Sequence, residues 1–308
     1  MAEITAAQVK ELREKTGAGM MDCKKALTES GGDFEEAVKI LRKKGLAAAS
    51  KKAGRVTSEG LAHAEVIGGN GVAVEVNSET DFVAKNAEFR DVVETVAKVA
   101  AAAPGTTVDE LVDQKWPGDA EGRHLAQVIS EKIQKIGENI TIRRFTRFDA
   151  TPKSAFGTYI HGNGKIAVLV ELRSDAADKA KLESLARDIA MHVAAAEPRF
   201  LRREEVTESD LATEREIARD QALKSGKPEN VVDKIVSGKM EKYYGENVLL
   251  EQPYIREEKT SVKQLVDQVA KAAGSPIEIA RFVRFKVGEG LQKREDDFAS
   301  EVRAQAGM

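Results

Sequence analysis

A chain of 308 residues with a formal net charge of −3 has room for two or three packed domains. Charged residues make up 32 % and the two signs nearly cancel, so the basic excess that a nucleic-acid backbone demands is missing. The one cysteine, Cys23, excludes an internal disulfide and suits a reducing compartment. The start, Met1-Ala2-Glu3-Ile4-Thr5, is unlike a signal peptide, and no segment nears the roughly 18 apolar residues of a membrane span. The expectation is a cytoplasmic protein with no membrane contact.

The first segment reads as helices. Thr5 and Gln8 fit a capping box, and Val9 and Leu12 then share a face. Gly17 and Gly19 break this helix. A second carries Met21, Ala26 and Leu27 and stops at Gly31-Gly32. Asp33 caps a third, with Glu36 at the partner position, a stripe of Phe34, Val38 and Leu41, and an end at Gly45. Residues 1–46 are thus predicted to form a three-helix bundle. Residues 47–59, with Lys51, Lys52 and Arg55, lack apolar periodicity and read as a linker.

From Leu61 the period changes to two. Ala62, Ala64 and Val66 alternate, Gly68-Gly69-Asn70-Gly71 turns the chain, and Val72, Val74 and Val76 resume, which predicts a β-hairpin. A helix follows from about Ala84 to Ala103, stopped by Pro104-Gly105. The pattern then recurs. Gly69-Asn70-Gly71 with Val74-Glu75-Val76 returns as Gly162-Asn163-Gly164 with Val170-Glu171-Leu172. Val99 to Pro104 returns as Val193 to Pro198. Ile140, Ile142, Arg144, Phe145, Arg147 and Phe148 return as Ile277, Ile279, Arg281, Phe282, Arg284 and Phe285. The order is the same in both copies, so the core is a duplicated unit of hairpin, helices and strand, over 60–149 and 150–288. Pro104 to Ile140 spans 36 positions and Pro198 to Ile277 spans 79, so the second copy has an insertion of 43 extra residues, which falls within about 200–252. It carries Leu211, Ile217 and Leu223 on one helical segment and Val231, Val232, Ile235, Val236 and Met240 on another. That is an antiparallel helical hairpin, free either to project or to fold down onto its domain. Residues 289–308 read as a short C-terminal helix. The fold class is α+β.

Signals of catalysis are weak. His63, His124, His161 and His192 lie at no metal-ligand spacing, and Cys23 reads as a buried thiol. The Gly68–Gly71 run lies between strands, where a phosphate cradle would lead into a helix. Asp296-Asp297 reads as a solvated face. The Arg143–Phe148 strand, echoed at Arg281–Phe285, interleaves basic and aromatic residues, but Phe145 and Phe148 cannot share a face of a straight strand. Thr80-Asp81-Phe82-Val83 stands apart. It fits a helix start with Thr80 or Asp81 as cap and Phe82 as a staple. Yet the second copy has Ala176-Ala177-Asp178 there, so the aromatic is dispensable to the fold and suits contact with another molecule. The weaker alternatives are an RNA-binding translation protein and an enzyme; no catalytic residues and no metal site are assigned.

Leu12-Arg13-Glu14-Lys15-Thr16-Gly17-Ala18-Gly19-Met20-Met21-Asp22-Cys23-Lys24-Lys25-Ala26-Leu27 and Glu75-Val76-Asn77-Ser78-Glu79-Thr80-Asp81-Phe82-Val83-Ala84-Lys85-Asn86 resemble the two signatures of the bacterial elongation factor Ts family. The resemblance extends over nearly the whole chain. It implies a non-enzymatic guanine-nucleotide exchange factor for the translational GTPase EF-Tu, with no cofactor and no direct nucleic-acid contact. The head is then similar to a ubiquitin-associated-type domain and docks through Arg13, Met20 and Met21. Thr80, Asp81, Phe82 and Val83 match the tip inserted near the partner's Mg²⁺ and phosphate site. His161 matches a contact from the second core subdomain. The inserted hairpin matches the family's coiled-coil or dimerisation element, which leaves homodimerisation open.

Overall fold

The structure, a computed structural model, describes residues 4–16, 18–176, 178–226 and 228–292. The chain begins with α1 (Ala6–Thr16), α2 (Met20–Glu29) and α3 (Phe34–Lys52). A first series follows: β1 (Glu59–Ile67), β2 (Asn70–Ser78), α4 (Asp81–Ala84), α5 (Ala87–Ala102), α6 (Val108–Val112), α7 (Leu125–Ile136) and β3 (Ile140–Phe148). A second opens with β4 (Ser154–His161), β5 (Ile166–Ser174) and α8 (Lys179–Ala196). It continues through α9 (Glu208–Lys224), α10 (Glu229–Asn247), β6 (Pro253–Tyr254) and β7 (Glu257–Ser261), and closes with α11 (Val262–Ala273) and β8 (Ile277–Lys286). The fold is α+β. Its sheets run β1-β2-β3 and β4-β5-β8, each with the second hairpin strand in the middle, plus a β6-β7 ribbon. The chain falls into two compact units. One comprises residues up to His63, Val74–Thr146 and the chain from Lys286; the other comprises Ala64–Ala73 and Arg147–Phe285.

In the first unit the head closes as its caps dictate. The Gln8 side-chain oxygen accepts the Thr5 N–H at 2.9 Å, and Thr5 Oγ1 accepts the Gln8 N–H at 3.3 Å. Asp33 accepts the Glu36 N–H at 2.9 Å. Val9, Leu12, Cys23, Ala26, Leu27, Ala37 and Leu41 form its core. The third helix corrects the sequence reading: it passes through Gly45 and ends at Lys52, taking up the first half of the expected linker. Ala47-Ala48-Ala49 are strong helix formers, and tertiary packing offsets the glycine. A side chain at Gly45 would begin 2.9 Å from Gln134 Oε1 on α7, and Lys52 Nζ donates to the Ile133 carbonyl at 3.3 Å. The expected break at Gly17 lies outside the described residues, as does the expected C-terminal helix of 289–308 from residue 293 on; residues 289–291 are turn and bend rather than helix.

Two further boundaries differ from expectation. The helix expected from Ala84 to Ala103 is two helices, because the Asn86 side chain accepts the Glu88 N–H at 2.8 Å and starts α5 afresh. The Gly-Asn-Gly triplets are not structurally equivalent. Gly68 and Gly69, at φ 60° and 89°, form a two-residue turn, and Asn70-Gly71 already belong to β2. In the second hairpin His161 pairs with Ile166, so Gly162-Asn163-Gly164-Lys165 is a four-residue loop.

Beyond β8 the chain is fastened to the first unit. The Gly288 N–H donates to Glu75 Oε1 at 2.9 Å. Gly288 has φ +71°, and a Cβ there would lie 2.2 Å from the Ser58 carbonyl oxygen, so only glycine fits.

In the second unit Val168, Val170, Leu172, Leu185, Ile189 and Val193 centre the main core. The insertion has a small core of its own, formed by Val206, Leu211, Ala218, Met240, Tyr243 and Val248. Its root is pinned where Phe200 bridges Val248 and where Leu201 and Leu249 join the main core. Toward the α9–α10 turn, Leu223 and Val231 are exposed. The helices pack on each other and leave their far end to solvent.

Candidate partner-binding site

The Thr80–Val83 turn is built from its cap outward. Thr80 Oγ1 accepts the Val83 N–H at 3.4 Å and starts α4, which is only four residues long. One helical turn buries Val83 and Ala84 and leaves Phe82 on the opposite side, 79 % exposed. Phe82 is therefore no staple. A phenylalanine left in water forgoes about 2 kcal/mol of burial, which is unusual for a ring the fold could have hidden. Asp81 pairs with Lys85 at 2.6 Å, and the Lys85 ammonium lies 5.5 Å from the centre of the Phe82 ring. That exposed i,i+4 pair is weak and readily exchanged for a partner.

Behind the tip lies a network that the sequence reading missed. Glu138 accepts the Thr80 N–H at 2.9 Å and the Thr80 hydroxyl at 2.6 Å. Glu79 accepts the Asn139 N–H at 2.7 Å and pairs with Arg55 at 3.3 Å. The available signal was Gly137, which ends α7 in the left-handed region and turns Glu138-Asn139 away from the helix.

The remaining candidates are placed separately. Met20 and Met21 open α2, 54 % and 64 % exposed, while Cys23 on the same helix is buried. Burial pushes the Cys23 thiol up, which keeps it protonated and inert. Arg13 is exposed and lines a cleft of about 590 Å³ with Thr16, Asp22, Arg42, Arg123 and Glu131. These head residues belong to the same unit as Phe82. His161 belongs to the other; it is exposed at the end of β4, with Nδ1 3.1 Å from the Tyr159 hydroxyl.

The arginine-aromatic strands are occupied from within. Arg143 and Arg144 pair with the buried Glu75 at 2.9 and 2.6 Å, and Arg147 pairs with Asp149 at 2.6 Å. Arg281 pairs with the buried Glu171 at 2.5 Å and covers the Phe148 ring at 4.1 Å. Arg284 pairs with Glu197. These guanidiniums pair with carboxylates of their own chain, and Phe148 is buried. Among the described residues no cluster of three or more His, Cys, Asp or Glu could hold a metal ion, and no helix is long and apolar enough to cross a membrane.

The family model "Elongation factor TS" matches residues 79–289. Elongation factor Ts of Trichlorobacter lovleyi is 51 % identical over 310 residues, covering 99 % of each chain. That of Rhodospirillum centenum is 50 % identical over 312 residues and covers both chains fully. That of Syntrophotalea carbinolica is 50 % identical over 300 residues, covering 97 % of this chain and 98 % of the other. The chain belongs to the elongation factor Ts family. Membership carries a role in translation elongation and implies EF-Tu as the partner. The matched stretch starts at Glu79, beside the tip, and includes His161; Arg13, Met20 and Met21 fall within the near-full-length alignments to the relatives.

Proposed function

We propose that this protein is a guanine-nucleotide exchange factor for EF-Tu in the cytoplasm, and that it promotes GDP release by inserting the Asp81-Phe82 tip near the Mg²⁺ and phosphate end of the partner's nucleotide site. The observation that carries this reading is the exposed Phe82 ring, held on a capped turn and present in one copy only. Arg13, Met20 and Met21 dock the head, whose three helices are of the ubiquitin-associated type. Methionine suits this task because its unbranched, polarizable chain adapts to the facing surface. His161 supplies a contact from the second core subdomain, and the inserted hairpin is available for self-association.

No bond is made or broken. Nucleotide and factor bind the GTPase at each other's expense, and that coupling is reciprocal. The factor speeds departure of GDP, and incoming nucleotide speeds departure of the factor. Burying Phe82 in the partner is worth about 2 kcal/mol, or about thirtyfold in rate. The remaining acceleration comes from the head and the second subdomain, which hold the wedge in place. Asp81 exchanges Lys85 for the Mg²⁺ shell or the neighbouring peptide of the partner. The test is stopped-flow release of a fluorescent GDP from EF-Tu at saturating factor. Phe82→Ala slows release about thirtyfold while weakening complex formation far less. An unchanged release rate refutes the wedge.

A further inference from the structure

We infer that Glu138 is a positioning residue for exchange: its carboxylate grips Thr80 by both N–H and hydroxyl and so fixes the angle at which Phe82 is presented. The inference rests on the wedge reading of Phe82. Thr80 is where the chain leaves β2 and enters α4, and Phe82 follows two residues later. A single carboxylate accepting both donors of one residue, at 2.9 and 2.6 Å, fixes both position and direction at that junction. Gly137, at φ 91°, turns the chain so that Glu138 meets it. The grip is braced alongside by the bond from the Asn139 N–H to Glu79 at 2.7 Å and by the bond from Ser78 Oγ to the Thr80 carbonyl at 2.9 Å.

The duplication provides an internal control. Counted from the shared Val-Glu pair, Glu79-Thr80 align with Asp175-Ala176; counted from Ile140 and Ile277, Glu138-Asn139 align with Ser275-Pro276. The carboxylate, the hydroxyl it holds and the aromatic beyond it are thus absent together from the second copy. There the same junction is made by one hydroxyl: Ser174 Oγ donates to the Pro276 carbonyl at 2.7 Å and accepts the Ala176 N–H at 3.0 Å. A modest neutral bridge suffices to join strand to helix. The stronger ionic grip occurs only where there is a ring to aim.

The experiment uses the full chain with EF-Tu carrying fluorescent GDP. Glu138→Ala lowers the maximal release rate about tenfold with little change in the factor concentration at half-effect, the signature of a misaimed group. Glu138→Gln, which still accepts one of the two bonds, recovers part of that loss. In a Phe82→Ala background Glu138→Ala adds less than about twofold, since no ring remains to aim. In the free protein, hydrogen exchange at the Thr80 amide speeds up about tenfold or more in Glu138→Ala. An undiminished rate, or a full further loss on top of Phe82→Ala, overturns the inference. If Phe82→Ala itself leaves release unchanged, the wedge reading fails. The Thr80 amide still judges the grip in that case, because unaltered protection in Glu138→Ala removes it whatever Phe82 does.

Discussion

The two copies of the core unit share a buried ion pair and differ around it. Each buries a glutamate at the same place in its central strand, and each holds it with the same arginine of its last strand. Arg144 Nε lies 2.6 Å from Glu75, and Arg281 Nε lies 2.5 Å from Glu171. The ion pair pins the register between neighbouring strands, where a one-residue slip would bury the wrong face. The differences lie at the start of the helix that follows the hairpin and along that helix. At the helix start the first copy exposes Phe82, while the second has Asp178, whose carboxylate accepts the Lys181 N–H at 3.1 Å and caps α8. At another aligned position the first copy leaves Lys98 in water. The second buries His192, because the chain returning from the insertion covers α8 with Gln252 and Tyr254. The repeated ion pair holds neighbouring strands together, while the unrepeated positions are an exposed ring, a helix cap and a histidine packed under the chain that returns from the insertion.

The sharpest way to break this comparison is to cut the shared element. Glu75→Ala and Glu171→Ala each remove the buried carboxylate that the strand arginines share. Each should cost about 1–3 kcal/mol in denaturant unfolding; a marked inequality would show that the pair is not one device used twice. Acid should act on the same element. Burial raises the Glu171 pKa, but hydrogen bonds from Ser154, Arg173 and Arg281 outweigh it and hold the carboxyl below its usual range. The stabilisation is therefore present above the unfolded value and lost as pH falls through the folded one. Glu171→Gln should flatten that acid limb of a stability-against-pH curve.

Next in size come the divergent positions. Asp178→Ala should lower the unfolding midpoint through a lost cap, whereas Phe82→Ala should leave the midpoint nearly unmoved and instead slow nucleotide release. Thermal melts of the two variants side by side would measure this. His192 gives a gentler contrast. Burial pushes its pKa down, and the Gln252 bond only partly opposes this. The unfolded chain then takes up the proton first, so stability falls as pH drops below the unfolded value near 6.5. Melts between pH 5 and 7 should show this slope, and His192→Gln should remove it. The smallest effect is Lys85→Ala, which removes a surface pair worth about 0.5 kcal/mol or less and should leave stability level.

The sequence revealed much of this where a residue's type dictates its neighbours. The Thr5 and Asp33 caps, the alternation of Val72, Val74 and Val76, and the repeated Ile-x-Ile-x-Arg-Phe strands each follow from local rules. The exposure of Phe82 was legible because the duplication supplied a comparison within one chain. Glu138 was not, since its grip on Thr80 spans 58 positions and nothing local marks a carboxylate for that purpose. Gly45 misled for a related reason: it was read by helix propensity, which packing against α7 overrides. The paired Gly-Asn-Gly triplets misled because identical turn residues can serve loops of different length.

The Gly288 fastening bears on how the protein is made. Glu75 leaves the ribosome early, yet one of its hydrogen-bond donors is 213 positions later in the chain. Synthesis is vectorial, so Glu75 can meet the donors of Arg143 and Arg144 first and the Gly288 N–H only after the second unit has been made. The first unit is thus completed by a segment that follows the second in the chain.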